Sequence, residues 1–174
     1  MIKRIFIDLD ECILHTSMSP VEQNCFVHSF DDVPGVVFHT IFRPQARDLI
    51  EHCRKLVGVD NVYILTSSLR EYAHRLNIAG KFRFAEDHIF TREDLRKHEY
   101  ATAYGGTAYV GNKDILDENN VLIDNLPPRQ NEGKCAFIGI RGQSHYIEVP
   151  GYYGVNFPND QFLPNIIEKL KELS

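Results

Sequence analysis

Short runs of Ile, Val, Leu, Phe and Tyr recur along the chain, and segments with a helical spacing of apolar positions separate several of them. The runs predict strands at Lys3–Leu9, Asn61–Leu65, Thr107–Val110, Asn120–Ile123 and Lys134–Ile140. The apolar stripes predict helices at Pro44–Val57, Leu69–Ala79 and Gln161–Leu173. Because strands that alternate with helices indicate parallel βαβ units, we predict an α/β fold whose ligands bind beyond the carboxyl ends of a central parallel sheet.

The segment Ser17–Phe42 departs from this alternation. It contains two β-rich stretches, NCFVHSF and VVFHTIF, on either side of the turn-forming sequence DDVPG. We predict a β-hairpin over residues 17–42, inserted between the first strand and the first helix, where it covers a site at the sheet edge. A length of 174 residues suits one well-packed domain, and no linker divides the sequence, so residues 1–174 are predicted to form a single domain.

Composition limits the class of protein. The formal net charge of −5 argues against general nucleic-acid binding, because affinity for the phosphate backbone depends on accumulated Lys and Arg. The four cysteines lack the spacing of a metal site, and no apolar run reaches the roughly 18 residues of a membrane-spanning helix. We expect a monomer with reduced thiols that is neither secreted nor bound to a membrane. Its expected location is the cytoplasm, or the nucleus if the host is eukaryotic.

Acidic residues follow the first strand, in the sequence IFIDLDECILHT. Asp8 and Asp10 are two positions apart, so in extended chain both side chains face the same way. Their repulsion is relieved if Mg²⁺ lies between carboxylate oxygens and a substrate phosphate. One carboxylate can then attack phosphorus, while the other, when protonated, supplies a proton to the leaving alcohol and later activates water. The pair predicts phosphoryl chemistry, and the alternative is a solvated turn at a strand end.

Three other segments carry residues that suit the same chemistry. VYILTSS ends in Thr66 and two serines including Ser67, just before a helix, where hydroxyl and N–H groups bind phosphate oxygens. VLIDNLPP contains Asp124 and Asn125, which offer further oxygen ligands for a metal. Lys113, in YVGNKDIL, carries the charge to neutralise the nucleophile and the phosphoryl group. The structural alternatives are a helix cap, an Asx turn and an exposed lysine, respectively.

The order of these motifs resembles the haloacid dehalogenase superfamily of phosphotransferases. The closer resemblance is to the small C-terminal-domain phosphatases, also called the NLI-interacting-factor-like family. DLDECILHTSMSP is similar to that family's DLDETLVHSSFKP, and IFRPQARDLIEHC to its Arg-Pro entry to the first helix. ILTSSLREYAHRL resembles its Thr-Ala-Ser segment and the following Tyr-Ala helix, and IDNLPP its Leu-Asp-Asn-Ser-Pro motif. The resemblance covers nearly the whole chain and implies a three-layer, Rossmann-like fold with a small insert in place of a large cap domain.

The resemblance also implies a role for each matched residue. Asp8 is implied as the nucleophile, and Asp10 is implied as the general acid and base. Asp10 would also bind Mg²⁺ through its backbone carbonyl. Thr66 would hold a phosphate oxygen, and Lys113 would fix the phosphoryl group. The implied metal ligands are Asp8, Asp10, Asp124 and Asn125.

Substrate-binding residues follow from the same resemblance, with departures from the family pattern. Arg92, in IFTRED, matches an arginine that contacts the substrate, and Ser67 lies in the phosphate-binding segment. Met18 stands where the family often has a phenylalanine that lines an apolar substrate pocket. The segment after Lys113 is shorter than the family pattern, which leaves Lys97, in LRKHEY, as the alternative catalytic lysine.

Together these residues predict a Mg²⁺-dependent phosphomonoesterase that works through an aspartyl phosphate. The resemblance implies phosphoserine or phosphothreonine in a protein or peptide as substrate, which an uncapped, open site would admit. Two alternatives stay open. One is a nucleotide or nucleic-acid-end phosphatase of the same superfamily, and the other is a non-catalytic regulatory or binding module on the same fold.

Overall fold

The structure is a computed structural model that describes residues 1–21, 24–101, 107–112, 119–125, 145–154 and 161–174. In chain order its strands are β1 (Arg4–Ile7), β2 (Leu14–Ser17), β3 (Phe26–His28), β4 (Phe38–Phe42), β5 (Val62–Leu65), β6 (Ile89–Phe90), β7 (Arg96–Ala101), β8 (Thr107–Asn112), β9 (Asn120–Asp124) and β10 (His145–Glu148). The helices are α1 (Ala46–Val57), α2 (Arg70–Ala79) and α3 (Phe162–Leu173). Within this part of the chain, no helix has both the length and the apolar character needed to span a bilayer.

Five strands form a parallel sheet in the spatial order β10, β9, β1, β5, β6. The central strand β1 places Ile5 opposite Val62 of β5 on one side and opposite Val121 of β9 on the other. The buried residues of all three helices pack against the face of the sheet that carries Ile5 and Ile7, whereas Phe6 and Leu122 on the opposite face belong to a second buried cluster with Leu95. The central strands are therefore buried on both faces, which explains why they appear in the sequence as continuous apolar runs. The predicted α/β fold with a central parallel sheet is therefore confirmed.

The three predicted helices are present, and each begins within two residues of the predicted start. In α1 the buried face is formed by Leu49, Ile50 and Cys53, which recur at helical spacing and pack into the core. In α3 the equivalent stripe includes Phe162 and Ile166. Burial of these faces fixes the helices against the sheet and thereby fixes the loops at its carboxyl edge.

The insert is a three-stranded antiparallel sheet, so the predicted two-stranded hairpin is incomplete. β3 and β4 pair as a hairpin, but β2 pairs with the other edge of β4, with Thr16 opposite Thr40. The spatial order is β2, β4, β3. Because β2 has four residues, LHTS, of which only Leu14 is fully buried, it is too short to produce a periodic signal. We call β2, β3 and β4 the insert sheet.

The strand predicted at Thr107–Val110 exists as part of β8, but it does not join the parallel sheet. It pairs antiparallel with β7 in a separate two-stranded ribbon. β-propensity identifies a strand from its own residues, whereas its partner is decided by the rest of the fold. The strand predicted at Lys134–Ile140 lies outside the described residues.

Candidate active site

The carboxyl ends of β1 and β9 bring two acidic residues to one edge of the sheet. These strands pair in register, with Ile7 opposite Ile123, and Asp8 and Asp124 occupy the next positions. The N–H of Asp8 donates a 2.9 Å hydrogen bond to the carbonyl of Ile123. Asp8 is 7% exposed and Asp124 is 0% exposed. Because buried carboxylates repel each other unless a cation or hydrogen bonds compensate, this edge is a candidate site for positive charge.

Asp10 lies in the tight loop that returns the chain from β1 to β2. The N–H groups of residues 12–14 all lie 3.0 to 3.2 Å from the carbonyl of Leu9, and Glu11 has a left-handed φ of 56°. On the other side of the loop, the N–H of Tyr152 donates to the carbonyl of Glu11 at 2.6 Å. These contacts fix the backbone position from which the side chain of Asp10 extends.

Two hydroxyl groups from the start of α2 and the residues before it hold the carboxylate of Asp10. Ser68 Oγ donates to Oδ2 at 2.6 Å, and the hydroxyl of Tyr72 donates to Oδ1. Burial raises the pKa of Tyr72, and the charge of Asp10 raises it further, so Tyr72 keeps its proton and remains the donor. The sequence did not predict that Ser68 or Tyr72 binds Asp10. The available signal was their spacing of four residues at the start of a helix, which places both side chains on the same face.

Thr66 follows β5 directly, at the same edge of the sheet as Asp8. Its side chain is buried, and Oγ1 accepts a 3.1 Å hydrogen bond from the N–H of Ser68. The N-cap position of α2 is Leu69, so Thr66 is not the helix cap. Nε of Arg92 donates a 2.7 Å hydrogen bond to the carbonyl of Ser67, so these two predicted substrate-binding residues are in contact.

The first N–H of α2 is already occupied. Both carboxylate oxygens of Glu93 lie 3.1 Å from the N–H of Arg70. Burial would raise the pKa of Glu93, but hydrogen bonds from this N–H and from Thr91 outweigh it and lower the pKa below its usual range. The predicted phosphate site therefore depends on the hydroxyls of Thr66 and Ser67 rather than on this N–H.

A pocket of about 350 Å³ opens beside Asp10, between the insert sheet and α2. Phe30 and Phe38, whose ring centroids are 5.6 Å apart, form one wall, Tyr72 another, and Arg92 also lines it. Met18, which was predicted to line such a pocket, is not among its lining residues and is 71% exposed. Sequence reasoning missed the two phenylalanines because they flank the turn of the insert rather than follow the acidic motif.

The sequence offers two candidates for the catalytic lysine. Lys113 lies outside the described residues. Lys97 belongs to β7, where its backbone lies opposite Gly111, and its side chain is also outside the described part. The choice between them stays a prediction.

Oxygen donors for a cation occur where β1 and β9 end. Asp8 and Asp124 offer carboxylates, and Asp10 offers its backbone carbonyl. The Oδ1 of Asn125 is buried and has no hydrogen-bond partner among the described residues, although buried polar atoms normally have one. The described part of the chain contains no cluster of three or more His, Cys, Asp or Glu side chains that could hold a metal ion. The predicted set needs only two carboxylates, because its other ligands are the Asp10 carbonyl and the Asn125 side chain. All four donors are oxygens, so this set fits Mg²⁺.

A buried arginine supports the Asp10 loop from the side of α3. Arg43 donates to the carbonyl of Cys12 at 3.0 Å and to that of Pro150 at 2.9 Å. Its guanidinium also lies 3.9 Å from the ring centroid of Phe162. Because Arg presents several donors in a rigid plane, this one side chain joins the loop to the segment after β10 and to α3. The sequence marked Arg43 only as part of the entry to α1.

Comparison with known proteins gives one family and two solved structures. The family model described as "NLI interacting factor-like phosphatase" matches residues 3–174. The chain is similar to "The Structure of Fcp1, an essential RNA polymerase II CTD phosphatase", with 16% identity, a TM-score of 0.56 and coverage of 99% of this chain and 49% of that one. It is also similar to a variant of the fission yeast RNA polymerase II CTD phosphatase Fcp1 bound to beryllium fluoride, with 15% identity, a TM-score of 0.55 and coverage of 99% and 50%.

The chain thus spans about half the length of both solved proteins. At these identities the likeness supports the fold. No curated protein matched this chain.

Proposed function

The chain belongs to the NLI interacting factor-like phosphatase family, and on this premise we propose that it is a Mg²⁺-dependent phosphomonoesterase that works through an aspartyl phosphate on Asp8. The family predicted from the motifs is confirmed. We propose for this chain the activity that the family's name describes, a phosphatase, of the haloacid dehalogenase type. The metal, the intermediate, the substrate and the roles of individual residues are proposals that rest on the site.

The observation that carries the proposal is the difference between the surroundings of Asp8 and Asp10. Asp8 lies buried at the sheet edge next to Asp124, among the oxygen donors that suit a cation. The carboxylate of Asp10 is instead held by the hydroxyls of Ser68 and Tyr72. Two carboxylates in different environments can take different roles in one reaction. Asp8 suits attack on phosphorus, and Asp10 suits proton transfer.

In the proposed reaction, a carboxylate oxygen of Asp8 attacks phosphorus as the bond to the substrate oxygen breaks. Asp10, protonated at this stage, gives its proton to the leaving oxygen. As a carboxylate it then takes a proton from the water that attacks the phosphorus of the aspartyl phosphate, which releases phosphate and restores Asp8. Each oxygen of Asp10 accepts one hydrogen bond in this structure, and a protonated carboxyl oxygen keeps acceptor capacity, so Asp10 can carry its proton while both contacts remain.

The phosphoryl oxygens need positive charge and hydrogen-bond donors. Asp8, Asp124, Asn125 and the carbonyl of Asp10 would hold Mg²⁺, which supplies charge against these oxygens. Thr66 accepts from the N–H of Ser68, so its own proton remains for a phosphoryl oxygen. Ser67 is proposed to bind the phosphate beside it. Lys113 is proposed to neutralise the transferring group, with Lys97 as the alternative.

The proposed substrate is phosphoserine or phosphothreonine in a protein. The pocket beside Asp10 supports this, because the apolar walls of Phe30 and Phe38 suit a side chain that neighbours the phosphorylated residue in a peptide. Arg92, at the same pocket, suits a second polar contact. The two similar solved structures are described as RNA polymerase II CTD phosphatases, which also favours a protein substrate.

Steady-state hydrolysis of an aryl phosphate, with Mg²⁺ and with EDTA, tests the chemistry. We expect turnover that EDTA abolishes and added Mg²⁺ restores. Turnover that persists in EDTA would contradict the proposed dependence on Mg²⁺.

A panel of substrates tests the substrate class. Phosphoserine and phosphothreonine peptides are compared with nucleoside monophosphates and 3′-phosphorylated oligonucleotides at equal concentration. We expect the highest kcat/KM with a phosphopeptide. A higher value with a nucleotide or an oligonucleotide would replace the proposed substrate with the alternative one.

A further inference from the structure

A continuous row of hydrogen bonds runs from Asp10 into the insert sheet. The Tyr72 hydroxyl, which donates to Asp10, lies 2.7 Å from Oγ1 of Thr16. Thr16 Oγ1 lies 2.7 Å from Oγ1 of Thr40, which in turn lies 3.0 Å from Nε2 of His28. The participants come from α2, β2, β4 and β3, in that order. Thr40 is 0% exposed and His28 is 7% exposed, so the far end of the row is shielded from water.

The number of protons sets the direction of every bond in the row. An ionised carboxylate only accepts, and each hydroxyl has one proton to donate. Tyr72 uses its proton for the bond to Asp10, so the bond between Tyr72 and Thr16 must be donated by Thr16. By the same argument Thr40 donates to Thr16. The Nε2 of His28 must then carry a proton and donate it to Thr40.

The other ring nitrogen of His28 agrees with this assignment. Nδ1 is buried and has no hydrogen-bond partner within the described part of the chain. With the proton on Nε2, Nδ1 is a bare acceptor, and an acceptor is found buried without a partner more often than an N–H donor is. Burial lowers the pKa of His28, and the nearby charge of Arg75 lowers it further, which favours the neutral ring.

We propose that His28 is a positioning residue for Asp10, which it reaches through Thr40, Thr16 and Tyr72. The row keeps Oδ1 of Asp10 in one place as an acceptor. This proposal rests on the proposed role of Asp10 in proton transfer. Of the residues in the row, Tyr72 is the one hydrogen-bonded to Asp10, so the others act on the Asp10 carboxylate through it.

The row also distinguishes the two oxygens of Asp10. Oδ1 is bound by Tyr72, which can turn its proton away from Asp10 only if the three bonds behind it reverse as well. Oδ2 is bound by the hydroxyl of Ser68, which can rotate from donating to accepting. Oδ2 can therefore be protonated without a change in the row, and we assign to it the proton that goes to the leaving oxygen.

His28 also packs against aromatic rings, so its hydrogen bond must be tested apart from its packing. Its ring stacks on Phe26 at a centroid distance of 4.9 Å and meets Phe30 edge-on at 5.4 Å. His28→Phe keeps an aromatic ring and removes the donor. Thr40→Val keeps the shape of the threonine and breaks the row at its centre. Thr40→Ser keeps the hydroxyl and is the matched control.

A second control comes from the other face of the insert sheet. His39 is the residue before Thr40, and its Nδ1 lies 3.6 Å from Sγ of Cys25 rather than in the row. His39→Phe therefore changes a histidine of the same sheet without touching Asp10.

The closing experiment measures kcat and KM for an aryl phosphate and, in the same proteins, the ¹⁵N NMR signals of the histidine rings. We expect kcat to fall about tenfold in Thr40→Val and His28→Phe, with KM within about twofold of wild type and with Thr40→Ser and His39→Phe near wild type. We expect the Nε2–H tautomer for His28 in wild type, with its Nε2 signal shifted in Thr40→Val.

The outcomes separate this proposal from the proposed function. Wild-type turnover that Thr40→Val leaves unchanged would overturn the positioning role and leave the phosphatase chemistry standing. An Nδ1–H tautomer of His28 would overturn the row whether or not the protein is active. If wild type lacks turnover, the proposed function fails, and an Nε2–H signal that moves in Thr40→Val supports the row by itself.

Discussion

Asp8 and Asp10 are two residues apart in the sequence, yet different parts of the molecule position them. Asp8 continues the central strand of the parallel sheet, where backbone pairing with β9 sets its place beside Asp124. The carboxylate of Asp10 is set by side-chain hydroxyls, Ser68 directly and Tyr72 with the row behind it. The nucleophile is thus fixed by the core of the fold, and the proposed acid by side chains between α2 and the insert sheet.

The difference matters because the two kinds of support respond differently to mutation. Moving Asp8 requires a change in the register of buried strands, which a single side chain rarely causes. Moving Asp10 requires the loss of only one or two side-chain hydrogen bonds to a carboxylate, each worth about 2 kcal/mol. We therefore expect substitutions around Asp10 to lower activity without unfolding the protein.

The largest expected effect belongs to the two carboxylates themselves. Asp8→Asn removes the nucleophile, and we expect kcat to fall by about a thousandfold or more, whereas Asp10→Asn leaves the nucleophile and slows proton transfer by about a hundredfold. The measurement is aryl phosphate hydrolysis with Mg²⁺. Asp60→Asn, on the exposed segment before β5, is the control and should match wild type. Full activity in Asp8→Asn would contradict the assignment of the nucleophile.

Arg43 supports the Asp10 region, because it binds the carbonyl of Cys12 in the loop that follows Asp10. Arg43→Leu leaves the carbonyls of Cys12 and Pro150 without this donor, so we expect the free energy of unfolding to fall by about 3 kcal/mol. Urea unfolding checks this. The exposed Arg47, on the first turn of α1, provides Arg47→Leu as the control. Equal stability of the two variants would show that Arg43 does not support the loop.

Tyr72→Phe removes the donor to Oδ1 of Asp10 and keeps the ring in the pocket wall. We expect kcat to fall about tenfold while the melting temperature changes much less, because the two hydrogen bonds that are lost, to Asp10 and to Thr16, are only partly buried. Phe38→Leu alters the same pocket without touching Asp10 and should change KM for a phosphopeptide more than kcat. A Tyr72→Phe effect confined to KM would instead assign Tyr72 to substrate binding alone.

The smallest expected effect is the pH dependence of stability due to His28. Burial, then Arg75 and His39, lower the pKa of His28 below 6.5, so the folded state binds this proton more weakly than the unfolded chain. The stability that neutral His28 contributes is present above pH 6.5 and is lost as the pH falls through the lowered value. His28→Phe should flatten the decline of the melting temperature with acid, and His39→Phe, which removes only the smallest of these three causes, should flatten it less. Parallel curves for wild type and His28→Phe would contradict the lowered pKa.

The sequence predicted the Asp8 region better than the Asp10 region for a physical reason. Strands buried on both faces are continuous apolar runs, so the ends of β1, β5 and β9 and the polar residues after them can be located by inspection. Asp8, Thr66 and Asp124 were placed at one edge in this way, and the structure places them there.

The row behind Asp10 has no such pattern. Thr16 and Thr40 meet because β2 pairs with β4, and a four-residue strand with one buried residue gives no periodic signal. The contact of Tyr72 with Thr16 joins residues 56 positions apart and depends on how α2 packs against the insert sheet. For the same reason the sequence suggested Met18 as a pocket residue, whereas the pocket wall comes from Phe30 and Phe38.

The measurement that tests the central claim most directly is the location of covalent phosphate after an acid quench during turnover of an aryl phosphate. Mass spectrometry of peptides from wild type, Asp8→Asn and Asp10→Asn gives the modified residue. We predict phosphate on Asp8 in wild type and in Asp10→Asn, and none in Asp8→Asn. Phosphate on Asp10 or on another residue, or turnover without Asp8, would contradict the division of roles between the two carboxylates.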